Sequence, residues 1–269
     1  MQIWNVETKR RITELNTTLD FGGDRLAISR DGRHCGVGAY HTHGVALYET
    51  KDGTEVWRRK DRKKVQCIRI SKDDKSVLCG FSDKDFEILN LESGKSELTL
   101  QGVDDVFESV YDDVLVIDGK DRGDFILVDS EYKKIASVRR TTFAALDFAF
   151  APQKICVTQS TGSIHCYDIN SGNQQWVYKP GNGIHALTIA YNEQHQIFSA
   201  ITWPYKSGGD HQLITLSPDE GDAMTIDTIS NACEFAFCRK GSLLITSDGK
   251  LRDIASGDVH GILDFFPNK

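Results

Sequence analysis

The residues of this 269-residue sequence that could hold a metal are few. His41-Thr42-His43 is the one close histidine pair, and His211 in a corresponding loop would bring the imidazole nitrogens to three. Three nitrogens suit a zinc-type site that activates water for hydrolysis. Two exposed loop histidines are the plainer reading. Gly36-Val37-Gly38 opens like a dinucleotide-binding loop, but no third glycine and no helix follow. The phosphate-binding GxxxxGK[ST], the metal-binding HExxH, the nucleophile elbow GxSxG and the EF-hand loop are all missing from the sequence. Asn16-Thr17-Thr18 matches a glycosylation sequon, which is idle in a cytosolic chain. Loop carboxylates abound, but sequence alone assigns no pair an acid/base separation. The expectation is a non-enzyme with no metal and no cofactor. An enzyme with a metal-assisted hydrolytic site rests on the histidines alone.

Chemistry of recognition is better represented. Arg58-Arg59-Lys60-Asp61-Arg62-Lys63-Lys64 carries six positive charges and one negative, or +5 in a chain of net −7, which leaves the remainder at −12. Such a run is either a solvated loop or a local field that steers a partner. Arg139-Arg140 is a second basic pair. The segment Thr202-Trp203-Pro204-Tyr205-Lys206-Ser207-Gly208-Gly209-Asp210-His211 puts Trp and Tyr in a loop too short to build a core. These rings either tuck over a sheet edge or point outward, and Trp, Tyr and Arg dominate interface hot spots.

The elements that must position these residues repeat along the chain. A short apolar strand, a polar landmark and a turn recur at Ile3–Thr8, Leu47–Gly53, Leu89–Gly94, Val128–Ser130, Tyr167–Gly172 and Arg252–Gly257, with a weaker copy at Leu213–Asp219. The landmarks Asn5, Glu49, Asn90, Asp129 and Asp168 are 44, 41, 39 and 39 residues apart, and Asp253 follows after 85. A second hairpin precedes six of these copies, as in Arg25–Ser29 turning at Arg30-Asp31-Gly32 into His34–Gly38. The others are Cys67–Cys79, Val106–Ile117, Leu146–Thr158, Ala186–Ala200 and Cys233–Ser247. β-Branched and aromatic runs closed by Asp, Gly, Ser or Asn are strand-and-turn chemistry. Ile12, Leu15 and Leu19, and Ile135, Val138, Thr142 and Leu146, also fit helical spacing, but the repeat register favours strand. Four antiparallel strands per unit of about 40 residues is the signature of propeller blades.

Composition agrees with this reading. Apolar residues make up 39% and charged residues 26%, which excludes a low-complexity or collagen-like chain and argues against a basic nucleic-acid binder. No apolar run approaches 18 residues, and Met1–Arg11 has no apolar signal core, so a cytoplasmic chain without membrane contact is expected. Cys35, Cys67, Cys79, Cys156, Cys166, Cys233 and Cys238 are odd in number and scattered, which suits reduced, half-buried thiols.

Trp4-Asn5 and Tyr167-Asp168 stand where a Trp-Asp dipeptide closes the third strand of a blade. Asp52-Gly53-Thr54-Glu55-Val56-Trp57 and Ser171-Gly172-Asn173-Gln174-Gln175-Trp176 match a Gly-x-x-x-Trp turn. On these residues nearly the whole chain resembles the WD40 and quinoprotein-like β-propeller repeats, although it lacks the Gly-His dipeptide and a true Trp-Asp. The layout expected is an all-β single domain over residues 1–269. Its units are 1–23 (a half-blade), 24–64, 65–104, 105–143, 144–183, 184–230 and 231–269. Seven blades with the N-terminal one incomplete is preferred, and six blades plus an extra hairpin comes second. A start or end clipped from a longer natural chain would produce the same count.

In propellers of this kind, the loops between second and third strands and the connections between blades share one face. The resemblance therefore gathers Tyr40, His41, His43, Asp121, Arg122, Trp203, Tyr205 and Lys206 with Arg58, Arg59, Arg62, Lys63, Arg139 and Arg140. The function expected is a monomeric, non-catalytic module that binds a protein partner there, as a scaffold, an adaptor or a dedicated inhibitor such as an immunity protein. Nucleic-acid binding through residues 58–64 is a weaker alternative, because the chain carries a net charge of −7.

Overall fold

A computed structural model describes residues 1–5, 8–15, 26–39, 41, 44–62, 64–83, 85–108, 114–119, 124–131, 133–139, 145–159, 162–181, 183–204, 210–229, 235–238, 243–247, 250–254 and 258–262. All regular structure in them is β-strand, apart from turns. The chain divides into two compact units, Met1–Lys134 and Ile135–Lys269.

The first unit opens with a two-stranded sheet, β1 (Gln2–Asn5) with β2 (Arg10–Glu14). Two four-stranded antiparallel meanders follow. One is β3 (Leu26–Ile28), β4 (His34–Gly38), β5 (Val45–Glu49) and β6 (Glu55–Arg59). The other is β7 (Val65–Ile70), β8 (Ser76–Phe81), β9 (Asp85–Asn90) and β10 (Ser96–Gln101). A third sheet runs β11 (Val103–Glu108), β12 (Val114–Gly119), β13 (Asp124–Asp129) and β14 (Lys134–Arg139), its last strand opening the second unit.

The second unit contains three more. They are β15 (Ala145–Ala151), β16 (Lys154–Gln159), β17 (Ile164–Asp168) and β18 (Gln174–Tyr178); β19 (Ile184–Asn192), β20 (Ile197–Pro204), β21 (His211–Leu216) and β22 (Ala223–Ile229); and β23 (Phe235–Cys238), β24 (Leu243–Thr246), β25 (Lys250–Asp253) and β26 (Val259–Ile262). Four-stranded meanders repeated in this way are β-propeller blades. Six complete blades are found, the count that the sequence reading placed second. The seventh blade preferred there is represented only by β1 and β2, because the described residues supply no inner strands beside them. Of the residues with helical spacing, Ile12 lies on β2, Ile135 and Val138 on β14 and Leu146 on β15, while Leu19 and Thr142 lie outside the described residues.

In four of the repeats the polar landmark is a turn cap. The side-chain oxygen of Asn5 accepts the Thr8 amide at 2.7 Å, that of Asn90 the Ser93 amide at 3.0 Å, and that of Asp168 the Ser171 amide at 2.8 Å. Asp129 accepts the amides of Glu131 and Lys133. Local side-chain bonds of this kind stabilise the turn against competing conformations. Two tryptophans then join successive blades. Trp57 of β6 donates its indole N–H to the Leu91 carbonyl at 2.6 Å, and Trp176 of β18 donates to the Pro218 carbonyl at 2.9 Å. Gly94 and Gly221 sit beneath these rings at φ +65° and +74°, and a Cβ on either would stand 2.6 Å and 2.4 Å from ring atoms. Only glycine fits both the backbone and the approach. The Gly-x-x-x-Trp spacing thus places each ring on the turn of the following blade.

The apolar core lies between blades. In the first unit Val45 and Leu47 pack on Ile68, Val77 and Cys79, and Cys67 and Leu78 pack on Val106 and Leu115. In the second, Ala149, Cys156 and Cys166 pack on Ile189, Phe198 and Ala200. Ile3 and Leu15, at the ends of the N-terminal hairpin, pack on Cys35, Val37, Ala46 and Tyr48.

Candidate interaction surface

At one end of the first unit, the β4–β5 loop closes on the β6–β7 connection. Gly44, at φ +69°, allows it: a Cβ there would stand 2.1 Å from the Arg59 carbonyl oxygen and 2.4 Å from that of Arg62. The Ser82 amide donates to the Lys64 carbonyl at 3.0 Å and ties in the β8–β9 turn. The basic run is therefore held against acidic residues of the next blade.

Arg59 reaches Glu87 at 2.7 Å and pairs with Asp61. Arg62 lies 2.7 Å from the other oxygen of Glu87, 3.1 Å from Asp85 and 3.3 Å from Asp83. Its guanidinium also covers the Phe81 ring at 4.4 Å. Arg58 pairs with Glu55 at 2.6 Å and donates to the Tyr48 hydroxyl. The Asp61 carboxylate, followed by Glu87, holds the Arg59 guanidinium above the usual arginine range, and Arg59 in turn lowers the Asp61 carboxyl. Arg59 and Arg62 meet on Glu87, whereas Arg58 pairs within its own blade, and all three face the chain's own carboxylates and not outward. Lys60 and Lys64 are the exposed cations that remain among the described residues of the run. Asp61, Arg62, Lys64, Ser82 and Asp83 line a cavity of about 310 Å³ there.

Glu87 is the residue that sequence reasoning missed. Its signal was present, since a lone carboxylate interrupts the apolar strand Phe86-Glu87-Ile88-Leu89. A buried carboxylate requires a cationic partner, and a basic run lies one blade earlier.

In the second unit the corresponding loop closes in the same way. Gly162, at φ +92°, would place a Cβ 2.1 Å from the Ile184 carbonyl oxygen. Beside it, His165 is buried, with Nε2 2.8 Å from the Ser163 hydroxyl and Nδ1 2.9 Å from Gln174 Oε1. The Gln174 oxygen can only accept, so Nδ1 carries the proton and Nε2 accepts from Ser163. Burial pushes the His165 pKa below its ordinary value. Trp203 stands on β20, not in the loop. It pairs with His185 of β19 and meets the His211 ring edge-on at 6.3 Å. Strand pairing between β20 and β21 ends at Thr202, so the partly exposed Trp203 lies one position past the last rung on that side.

His41 is exposed. Tyr40, His43, Lys63, Asp121, Arg122, Arg140, Tyr205 and Lys206 lie outside the described residues, and of Arg139 only the backbone is described. Among the described residues, no group of three His, Cys, Asp or Glu side chains is placed to hold a metal ion, and no helix is long and apolar enough to cross a membrane. Cys35, Cys67, Cys79, Cys156 and Cys166 are free and buried. Burial pushes the Cys35 thiol up to about 11 and raises Cys79 further, so neither is a nucleophile near neutrality.

A groove of about 770 Å³ lies at the other end of the same two blades of the first unit, lined by Asp31, Asp73, Asp74 and Glu92 among others. Three of these carboxylates already serve the turns. Asp31 accepts from Ser29 and Arg33, Asp73 from Ser71 and Lys75, and Asp74 from the amides of Arg30 and Asp31.

No protein-family model matches the sequence, and no curated protein matches it. Solved structures do. The chain is similar to a computationally designed protein, Ika8, at 13% identity and a TM-score of 0.65, over 93% of this chain and 89% of that one. It is also similar to U3-55K at 12% identity and a TM-score of 0.71, over 91% of this chain and 80% of that one. At such identities the likeness shows the β-propeller fold alone.

Proposed function

We propose that this chain is a non-catalytic, protein-binding β-propeller, akin to the WD40 and quinoprotein-like repeats, that serves as a scaffold or adaptor in the cytosol. The observation that carries the reading is Trp203. Its backbone is fixed by pairing with β19, and the residue is partly exposed one position past the last β20–β21 rung, with its ring edge-on to His211. A rigid aromatic at a strand end offers large contact area at low entropic cost, which is how interface anchors work. The arginine cluster supports the reading indirectly. Arg59 and Arg62 shape the loop end through Glu87, and Lys60 and Lys64 carry the exposed charge. The five buried free thiols suit a reducing compartment.

Trp203→Ala and Tyr205→Ala chains are expected to melt within a few degrees of wild type. Each is expected to lose most of the partner that the wild-type chain retains on affinity purification from its source lysate. Unchanged partner recovery by a folded Trp203→Ala chain overturns the assignment of this surface.

A further inference from the structure

Two of the buried thiols stand opposite each other. Cys156 of β16 and Cys166 of β17 are direct partners in an antiparallel ladder with no register shift, and both are 0% exposed. The Gln159 amide donates to the Ser163 carbonyl at 2.9 Å, and the Ile169 amide to the Gln153 carbonyl at 3.0 Å. Those two bonds fix the alternation along the ladder. Odd-numbered positions of β16 are the hydrogen-bonded pairs, so Cys156 and Cys166 form a non-hydrogen-bonded one. There the backbones come closest, with about 4.5 Å between Cα atoms. A disulfide accepts about 4.4–6.8 Å, so the bond is compatible with both strands in place.

No other two of the described thiols are placed in this way. Cys67 and Cys79 lie on adjacent strands, but Cys79 pairs with Ile68, and the two thiols enter separate clusters on opposite faces of the sheet. Cys35 belongs to a third cluster. Around Cys156 and Cys166 the lining is apolar. Ala149 of β15 pairs with Cys156, Trp176 of β18 pairs with Cys166, and Ile189, Phe198 and Ala200 of the next blade close the cluster. Burial, followed by the hydrogen-bonded Cys166 thiol, pushes the Cys156 thiol well above its ordinary value. Exchange needs a thiolate, so the pair is inert while the blade is closed.

We propose that Cys156 and Cys166 are an oxidation site, a dithiol that a low-molecular-weight disulfide such as oxidised glutathione converts to a cross-strand bond when the blade opens. On opening, one cysteine thiolate attacks a sulfur of the oxidant, forms a mixed disulfide and releases one reagent thiolate. The second cysteine thiolate attacks the protein sulfur of that mixed disulfide and releases the other. The two cysteine protons end on the two released thiolates, so two protein thiols and one reagent disulfide become one protein disulfide and two reagent thiols. Closure selects this product, because a close-packed cluster has no room for the reagent's half of a mixed disulfide. Re-pairing of β16 with β17 brings the two sulfurs together, and the closed blade then carries a staple across its two middle strands. In a reducing compartment such a bond forms only under oxidative stress.

The test uses the reduced, intact chain. It is incubated with oxidised glutathione, with and without urea below the unfolding midpoint, and then alkylated in denaturant. Trypsin leaves both cysteines on one fragment that begins at Ile155 and contains no other cysteine. That fragment is expected to lose two hydrogens and both alkylation sites, at least tenfold faster with urea, and dithiothreitol is expected to restore them. The oxidised chain is expected to melt cooperatively, no lower than the reduced one. Wild type carries these readouts, so they do not depend on a variant that folds. Four results overturn the proposal. One is a fragment that stays reduced while hydrogen exchange shows β16 and β17 opening. Another is Cys156 linked to a cysteine other than Cys166. A third is oxidation at the same rate with and without urea. The last is an oxidised chain without a cooperative melt, which would mean that the closed register does not admit the bond.

Discussion

Glu87 sits inside an apolar strand with its side chain 7% exposed, and its two oxygens face the guanidinium groups of Arg59 and Arg62. Removing one partner of a buried pair leaves the other charge uncompensated, which costs several kcal/mol. Glu87→Ala is therefore expected to lower stability by about 3 kcal/mol in urea unfolding, whereas Lys60→Ala, at an exposed site, is expected to change it little. His165 gives a pH test. Its unfolded pKa is near 6.5 and its folded pKa lies lower because burial disfavours the imidazolium. Below about 6.5 the unfolded chain therefore takes up the proton first, so stability present above that pH declines as pH falls towards the folded pKa. Urea midpoints at about pH 7.5 and pH 5.5 should differ, and His165→Gln should reduce the difference. Asp31 acts at lower pH. The Arg33 amide, with the Ser29 hydroxyl next, holds its carboxyl at about 2, so its contribution is present above the unfolded carboxyl range and lost as pH falls towards 2. The basic run and Trp203 were legible in the sequence as residues. The direction of the arginines was not, because it depends on a carboxylate 28 residues beyond Arg59.

At the scale of elements, the turn glycines separate two costs. Gly32 has φ +72° and nothing within 4 Å of where a Cβ would be, whereas Gly221 has φ +74° and Trp176 at 2.4 Å. Gly32→Ala carries backbone strain alone and is expected to cost about 1 kcal/mol. Gly221→Ala adds displacement of the indole and loss of its bond to Pro218, and is expected to cost about 3 kcal/mol. Thermal and urea unfolding of the two variants compare them directly. The repeat itself was readable because its landmarks, Asn5, Asn90, Asp129 and Asp168, are the residues that cap turns. The partner of each tryptophan was not readable. Trp57 bonds 34 residues ahead and Trp176 42 residues ahead, in the next repeat, and periodicity within one unit carries no record of such a contact.

For the whole molecule, the fold class was legible and the blade count was not. Seven outer hairpins against six inner ones can be counted in sequence, but the count does not say whether the odd hairpin lies on the first blade. The pairing of Ile3 and Leu15 with Cys35, Val37 and Tyr48 answers that within the first unit. The likeness to solved propellers, at 12% and 13% identity, adds fold and no function. A function must then be tested at surfaces that the fold does not require, and the surface around Trp203 in the second unit is one of these.

The tryptophan-on-glycine contact also has a consequence for how the chain comes apart. Each contact links one blade to its sequence neighbour, so cohesion is local and close to a sum of nearest-neighbour terms. In such an array a defect weakens the blades beside it more than those further away, and melting starts at the least-clasped member. Loss of Trp57 should thus raise hydrogen exchange first in β9 and β10, the hairpin whose turn it clasps, before the effect reaches β11 and β12.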